Sequence, residues 1–414
     1  MSIPQAIAPE RCQTLVLAHH QILAQLSALN LRAHLRIVGE GELCVQACLY
    51  DAHAIEVARG AGKGPPATAR VGALYEALEH YLSDDLHASP LHCQASGYFV
   101  DHPQFVDDSA LALLVAQQED AVVCRTYRSL VDDQSFSYPL ALTCPRYCEQ
   151  PLHNDPTDLR VLRRYSSNSG TAIGATADEA LLHALNETIE RDALSLFLLE
   201  HFYYQRPLSR LRRVYPDSLG PEARAVLQTL SQPFDAEVVL LDISREFCAT
   251  TCLAFINTPC AMPTVYGSGT SLTPAHAAWR ALTELAQLQA LAVEPPLSRH
   301  LLNAQRHLAR FPRLQRCLQF APERLMAQPV EWVQLHERPA PTGLGEQITL
   351  LVGDMASHNL TPGVCRLFQS QLGTTLVQVV IPGLERFFLV STGNIVVPQQ
   401  RGRRLCGESQ VATL

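Results

Sequence analysis

The 414 residues suit two to four domains at roughly 100–200 residues each, or one large composite α/β domain, and 47% apolar with 17% charged residues exclude a chain disordered over most of its length. A formal charge of −8 argues against non-specific nucleic-acid binding, whose footprint is basic, so any anionic ligand has to be held locally. Met1–Gln21 lacks the basic start and apolar run of a secretory signal, and the longest uncharged stretch, Phe247–Trp279, is broken by Pro259, Pro263 and Pro274, so a soluble cytoplasmic protein with no membrane span is expected.

In chain order, apolar periodicity predicts a helix around Pro9–Leu29, strands around His34–Ile37 and Leu43–Ala52, and a Gly- and Pro-rich loop at Gly60–Pro66. A helix from about Ala69 to Tyr81 follows. Strands at Val122–Arg125 and Ser137–Leu142 come next, then a polar loop, Tyr165–Gly174, opening a long helix at about Ala177–Leu199. Glu237–Asp242, Thr251–Asn257 and Thr264–Gly267 read as strands and Pro274–Leu291 as a helix. Glu331–Gly345 reads as an ordered surface connection, and Ile348–Val352, Leu376–Ile381 and Phe387–Val390 read as strands ahead of the basic cluster Arg401, Arg403 and Arg404. The 13 cysteines are odd in number and dispersed through apolar runs, which predicts buried free thiols. Their Cys-x3-Cys pairs (Cys44/Cys48, Cys144/Cys148, Cys248/Cys252) lack zinc-module spacing.

Three helices carry one pattern, Ala-Leu-x-Glu-x-x-Glu/Gln: Ala73–Glu79, Ala184–Glu190 and Ala281–Gln287. Each follows a glycine-bearing loop: Gly62-Lys63-Gly64, Gly170–Gly174, and Gly267-Ser268-Gly269-Thr270. Thr176 with Glu179 reads as a capping box, and Thr273 before Pro274 as an N-cap with proline at the first helical position. A unit used three times is the simplest account.

At about 100° per residue, Glu179 and Glu190 fall within roughly 20° of each other and Glu187 about 80° away, so three carboxylates share one stripe. Like charges three or four residues apart destabilise a helix, so the pairs Glu76/Glu79 and Glu187/Glu190 require a compensating cation. A solvated acidic face with Arg191 as neighbour would meet that need, as would a bound metal. Mg²⁺ takes one or two carboxylates together with water and phosphate oxygens, which suits Glu-bearing helices converging on a nucleotide. Arg191 and Arg280 offer paired donors to phosphate, although Arg280 also stands one turn from Glu284. The glycine loops would let backbone amides approach an anion at a helix start. Other nucleotide and hydrolase signatures are absent: Gly60–Gly64 lacks P-loop spacing, and no Gly-x-Gly-x-x-Gly, His-Glu-x-x-His or Gly-x-Ser-x-Gly run occurs.

Taken together, Gly62-Lys63-Gly64, Ala73–Tyr81, Ser167-Asn168-Ser169-Gly170-Thr171-Ala172-Ile173-Gly174, Glu187-Thr188-Ile189-Glu190-Arg191-Asp192-Ala193, Arg280–Gln287 and Ile381–Glu385 resemble the YcaO family, in order and over residues 60–404. The resemblance implies a non-kinase ATP-binding α/β fold of repeated subdomains around a central nucleotide site. It implies an enzyme that phosphorylates a peptide backbone amide oxygen with ATP while a nucleophile attacks the carbonyl carbon. A Cys, Ser or Thr side chain as nucleophile gives an azoline, external sulfide a thioamide, and an amine an amidine.

Position by position, the resemblance makes Glu76, Glu79, Glu187 and Glu190 the Mg²⁺ carboxylates, and places Ser167, Asn168, Glu179, Arg191, Arg280 and Glu284 around ATP. Gly72 and Ala175 stand where relatives often have Ser and Asn, and residues 405–414 lack the Pro-x-Pro-x-Pro tail of many azoline-forming relatives. Residues 1–60 match nothing in the family. The implied function is cyclodehydration of a ribosomally made precursor peptide, with thioamidation alongside a TfuA-like partner, or a non-catalytic accessory role, as the competing readings. The implied partners are the peptide and a leader-binding ThiF-like or a TfuA-like protein, with a homodimer left open.

Overall fold

The structure is a computed structural model and describes residues 7–39, 41–108, 110–112, 121–153, 155–232, 236–259, 262–405 and 407. The tail expected at 405–414 therefore lies outside the described residues apart from 405 and 407. Three sheets form the frame. Strands β1 (Arg32–Val38), β2 (Cys44–Tyr50) and β3 (Glu56–Lys63) pair antiparallel in that order. A second sheet joins β4 (Leu91–Ala95), β5 (Ala121–Ser129), β6 (Ser135–Pro139), β7 (Thr171–Gly174), β13 (Gly363–Gln369) and β14 (Thr375–Val380) in the order β4-β5-β13-β14-β7, with β6 also on β5. The third joins β8 (Leu211–Val214), β9 (Val238–Asp242), β10 (Thr250–Ile256), β11 (Tyr266–Ser271) and β12 (Val330–Val333) in the order β11-β10-β9-β8-β12. Within it only β8 and β12 run parallel.

The longer helices are α1 (Leu15–Ala28), α2 (Pro66–Ser83), α3 (Ala177–Leu198), α4 (Pro221–Ser231), α5 (Pro274–Ala292), α6 (Pro295–Leu308), α7 (Pro312–Gln319) and α8 (Leu344–Ser357). Each sheet ends on a strand that feeds a Glu-bearing helix, β3 into α2, β7 into α3 and β11 into α5, each time through two residues. This is the expected threefold unit. Most of its glycines, Gly62, Gly174, Gly267 and Gly269, however, lie in the strands rather than in anion-binding loops, and Gly64 and Gly170 stand just outside them with positive φ. A Cβ on Gly62 would overlap the backbone of Ala69 and Ala73, and one on Gly267 that of Ala281 and Leu285. The glycines let each helix lie directly on its strand, with Ala at the contact. Thr176 caps α3, accepting from the Glu179 amide at 3.3 Å, whereas the Thr273 side chain makes no capping bond to α5.

The α2 face of Ala73, Leu74, Ala77 and Leu78 packs on Val45, Ala47 and Leu49 and on Ile22 and Leu26 of α1. Each fully buried leucine there contributes about 1.5–3 kcal/mol. On α5, Ala277, Ala281, Leu282 and Leu285 cover Leu240, Cys252 and Ala254. The central α3 is buried on both flanks, with Leu194, Phe197 and Leu198 in the largest core and Leu182, Leu185 and Ile189 packing with Leu351 and Met355 of α8.

Several expectations are corrected. Ile348–Val352 lies inside α8, because its apolar residues recur with Leu344 and Met355 at helical spacing. Phe387–Val390 forms a buried 3-10 turn, Phe387–Thr392, and the polar loop Tyr165–Gly174 ends in β7. The connection Glu331–Gly345 contains most of β12. The family-like region expected from residue 60 opens inside β3, and β1 and β2 ahead of it pair with β3 in one sheet. Arg401 and Arg404 pair with Asp192 and Asp107, both at 2.7 Å, so these two arginines of the basic cluster tie the chain down. The described cysteines are free thiols, and most are buried. Among the described residues no helix is long and apolar enough to cross a membrane.

Candidate active site

Glu76, Glu187 and Glu284 each stand ten residues after the first residue of their helix, and Glu79, Glu190 and Gln287 thirteen. That common register turns the same helical face inward in all three units. It also closes a ring. The Ile173 amide of β7 donates to Glu79 Oε2 of α2 at 2.8 Å, and Ser268 Oγ of β11 donates to Glu190 Oε1 of α3 at 2.7 Å. From α5, Gln287 donates to the Ala61 carbonyl of β3, and Glu284 Oε2 accepts from Lys63 Nζ at 2.6 Å. Each helix is thus bonded to the strand of the next unit, and α2, α3 and α5 share one interior.

A solvated acidic face is ruled out, since none of the four candidate metal carboxylates is exposed and Glu190 is only 2% accessible. Burial, then the charges of Glu187 and Glu76, pushes the Glu79 carboxyl well above its ordinary range. Burial raises Glu76 and Glu187 as well. Burial alone would raise Glu284 too, but Lys63 and Arg191 outweigh it and hold that carboxyl low. Arg191 lies 3.5 Å from Glu187 and is held cationic by Glu187, Glu190 and Glu284 against its own burial. Glu190 Oε2, Arg191 Nε and Arg280 Nε are buried and make no hydrogen bond, so at Glu190 and Arg191 only looser ion pairs offset the burial.

Among the described residues no three His, Cys, Asp or Glu side chains form a ready-made metal shell, so the four glutamates do not by themselves make a closed chelate. The donor set still fits Mg²⁺, which completes its octahedron with water and phosphate. Carboxyls whose protons are retained by burial release them when a cation takes their place.

The other expected site residues lie around this ring. Glu179 lies at the start of α3, about 12 Å along the helix from Glu187 at 1.5 Å per residue. Its two oxygens accept from the Cys12 amide at 2.7 Å and the Ala175 amide at 3.1 Å. Arg280 stands 4.0 Å from Glu190 and 3.1 Å from His183 Nδ1. Ser167 lines a small cleft with Arg191 and Phe388. Asn168 lines a cavity of about 370 Å³, walled also by Arg59, His80, Arg146, Thr171 and Gln378. His80, next to Glu79 on α2, lines this cavity, and none of the site glutamates lines it.

Sequence reasoning missed Lys63, Glu10, His183, Asn186, Ser271 and His276. Lys63 stood in a quoted motif, and its neighbouring glycines signalled a close approach to another element. His183 and Asn186 lie on the α3 stripe, but nothing in the local pattern joined them to Glu10, 176 residues from Asn186.

Comparison with known proteins identifies a family and a shared fold. The family model described as YcaO cyclodehydratase, ATP- and Mg²⁺-binding, matches residues 61–385. An uncharacterized protein of Methanothermobacter thermautotrophicus is 25% identical over 355 residues, covering 83% of this chain and 84% of its own. Among solved structures, a heterocyclase in complex with substrate and cofactor superimposes with a TM-score of 0.66 at 19% identity, over 93% of this chain and 55% of its own. The chain therefore spans about half the length of that heterocyclase. YcaO from Methanopyrus kandleri, bound with AMPPCP and Mg²⁺, gives 0.64 at 16% identity over 95% of this chain and 98% of its own. The E. coli microcin synthetase McbBCD complex gives 0.59 at 12% identity, over 86% of this chain and 88% of the matched chain. These structural likenesses carry the fold, and the family match carries the rest: the chain belongs to the YcaO family.

Proposed function

We propose that this protein binds Mg²⁺-ATP between α2, α3 and α5 and uses it to activate a peptide backbone amide, the reaction being cyclodehydration of Cys, Ser or Thr in a ribosomally made precursor. The observation that carries this reading is the cluster of buried and half-buried carboxylates Glu76, Glu79, Glu187 and Glu190 with Arg191 and Arg280, in which buried polar atoms of both signs make no hydrogen bond. In this reading the four glutamates hold the metal, Arg191 and Arg280 hold phosphates, and Glu284 and Lys63 orient that network. Bound ATP supplies the phosphoryl group that converts the amide oxygen into a leaving group. Arg191 stands where charge develops, pre-oriented by Glu187, so little reorganisation accompanies the reaction. The cavity lined by Thr171 and Gln378 receives the peptide, and Asn168 on its wall, with Ser167 in the neighbouring cleft, keeps its expected place beside ATP. Cys144 also lines the cavity, but burial raises that thiol, which supports a nucleophile carried by the substrate. A partner protein presents the peptide, as befits a fold shared with a synthetase that is itself a complex.

The test is titration calorimetry with ATP, with and without chelation of Mg²⁺, followed by mass spectrometry of Cys/Ser/Thr-rich peptides encoded beside the gene. Metal-dependent binding and loss of one water per modified residue are expected. Binding indifferent to Mg²⁺ would overturn the site, and exchange of oxygen for sulfur would replace cyclodehydration with thioamidation.

A further inference from the structure

One carboxylate beside the ring belongs to none of the three repeated helices. Glu10 is 6% accessible and lies against α3, α5 and the end of β11. Its Oε1 accepts from Asn186 Nδ2 at 3.1 Å and from Ser271 Oγ at 2.5 Å, while its Oε2 is buried with no hydrogen-bond partner. Oε2 lies 3.7 Å from His276 Nε2 and 3.9 Å from Arg280 Nη1, both beyond hydrogen-bond reach. Burial, reinforced by Arg280, keeps His183 neutral, and burial holds His276 down to about 4, so neither imidazole neutralises the carboxylate at ordinary pH. Two residues on, the Cys12 amide is bonded to Glu179, and Gln21 of α1 donates to the Ala175 carbonyl at 2.8 Å. Both bonds lie on the C-terminal side of Glu10 and hold the segment against the start of α3. A buried carboxylate oxygen that accepts no hydrogen bond is costly, even near a guanidinium, unless a donor completes it.

We propose that Glu10 is a nucleotide-positioning residue whose free carboxylate oxygen accepts a hydrogen bond from a ribose hydroxyl. The inference rests on the nucleotide reading of the site. If Arg280 holds a phosphate, Glu10 Oε2, 3.9 Å from that guanidinium and outside the set of four metal carboxylates, has no cation to bridge it to the phosphate, and the two anions repel. It must face the neutral donors of the same ligand, and the sugar hydroxyls are the donors nearest the phosphate chain. Asn186 and Ser271 fix the other oxygen, so the acceptor is aimed before the ligand arrives.

The test compares Mg²⁺-ATP with its 2′-deoxy and 3′-deoxy analogues by titration calorimetry on the full chain. A hydrogen bond to a charged group corresponds to about 10–100-fold in affinity, so the wild type should bind one deoxy analogue that much more weakly than ATP. Glu10→Gln should weaken ATP binding and bring ATP and both analogues within about threefold of one another. Arg280→Ala should weaken all three nucleotides alike. Equal binding of the three by the wild type, alongside a loss of ATP binding in Arg280→Ala, overturns the role of Glu10 and leaves the phosphate site standing. Tighter binding of every nucleotide by Glu10→Gln would make the carboxylate a plug over Arg280 and equally overturn it. If the wild type binds no ATP, the site reading falls and this inference with it.

Discussion

Substituting Glu190→Gln separates a ligand-holding carboxylate from one that merely fills the interior. Glu190 is 2% accessible, accepts from Ser268 Oγ at 2.7 Å through one oxygen, and leaves the other 4.0 Å from Arg280. A glutamine carbonyl keeps the Ser268 bond and the shape. What disappears is the attraction to Arg280, about 4 kcal/mol at an effective dielectric of 20, and with it a desolvation cost of similar size for a carboxylate whose second oxygen is unpaired. The two nearly cancel, so the melting temperature of the free protein should move by less than about 3 °C. Catalysis has no such compensation, because charge that develops in the transition state goes unneutralised, at a typical cost of ~10²–10³ in rate. Peptide modification read by mass spectrometry, beside a thermal melt with and without Mg²⁺-ATP, measures both quantities on one preparation. A variant that melts like the wild type and modifies peptide within about threefold of its rate would refute the reasoning.

Gly267→Ala should lower stability by at least about 1–3 kcal/mol, because the added Cβ meets backbone of Ala281, Leu285 and Glu284, the last at 2.9 Å, and a helix axis cannot swing aside as a side chain can. An unchanged melting temperature would mean that strand and helix separate freely. Lys63→Met strips Glu284 of its 2.6 Å partner, so burial wins and its carboxyl rises. A raised carboxyl in the folded state favours stability at low pH, so the variant's deficit should grow as pH climbs above about 4.5; a deficit independent of pH contradicts this. Burial lifts Glu385 to about 7 against backbone donors at Gln399, Gly402 and Arg386. The folded state therefore holds an extra proton between about pH 4.5 and 7, and stability should fall across that window by at most about 3 kcal/mol. Denaturation of Glu385→Gln at several pH values should show a flatter profile, and an identical slope would exclude Glu385 as its source.

The repeated helices were legible because each one shows its strand glycines, its Ala contact face and its inward Glu in a single window of about two dozen residues. The capping box at Thr176 fixed the start of α3 for the same reason, being a bond between neighbours in sequence. Where the reading failed, the deciding contact was distant or the local signal served two structures. Ile348-Thr349-Leu350-Leu351-Val352 has strand composition, and only Leu344 and Met355 outside it reveal the helical period. The glycines looked like phosphate loops because a missing Cβ serves close approach to a phosphate and to a helix equally well. Glu10 was illegible, since its burial depends on Asn186 and Ser271, which the folded chain alone brings to it.

The ring of three units carries a consequence for the direction in which a ligand lies. A frame with three equivalent walls offers three equivalent orientations to whatever enters it. The walls are not alike, however. Six residues after each helix start, the three units present Gly72, His183 and Arg280: a gap, a neutral imidazole and a guanidinium. At the thirteenth position the third unit replaces glutamate with Gln287, which donates where its counterparts accept. The repetition supplies a rigid cage, and these departures from it remove the degeneracy, so that an elongated, unevenly charged molecule has one way round to sit.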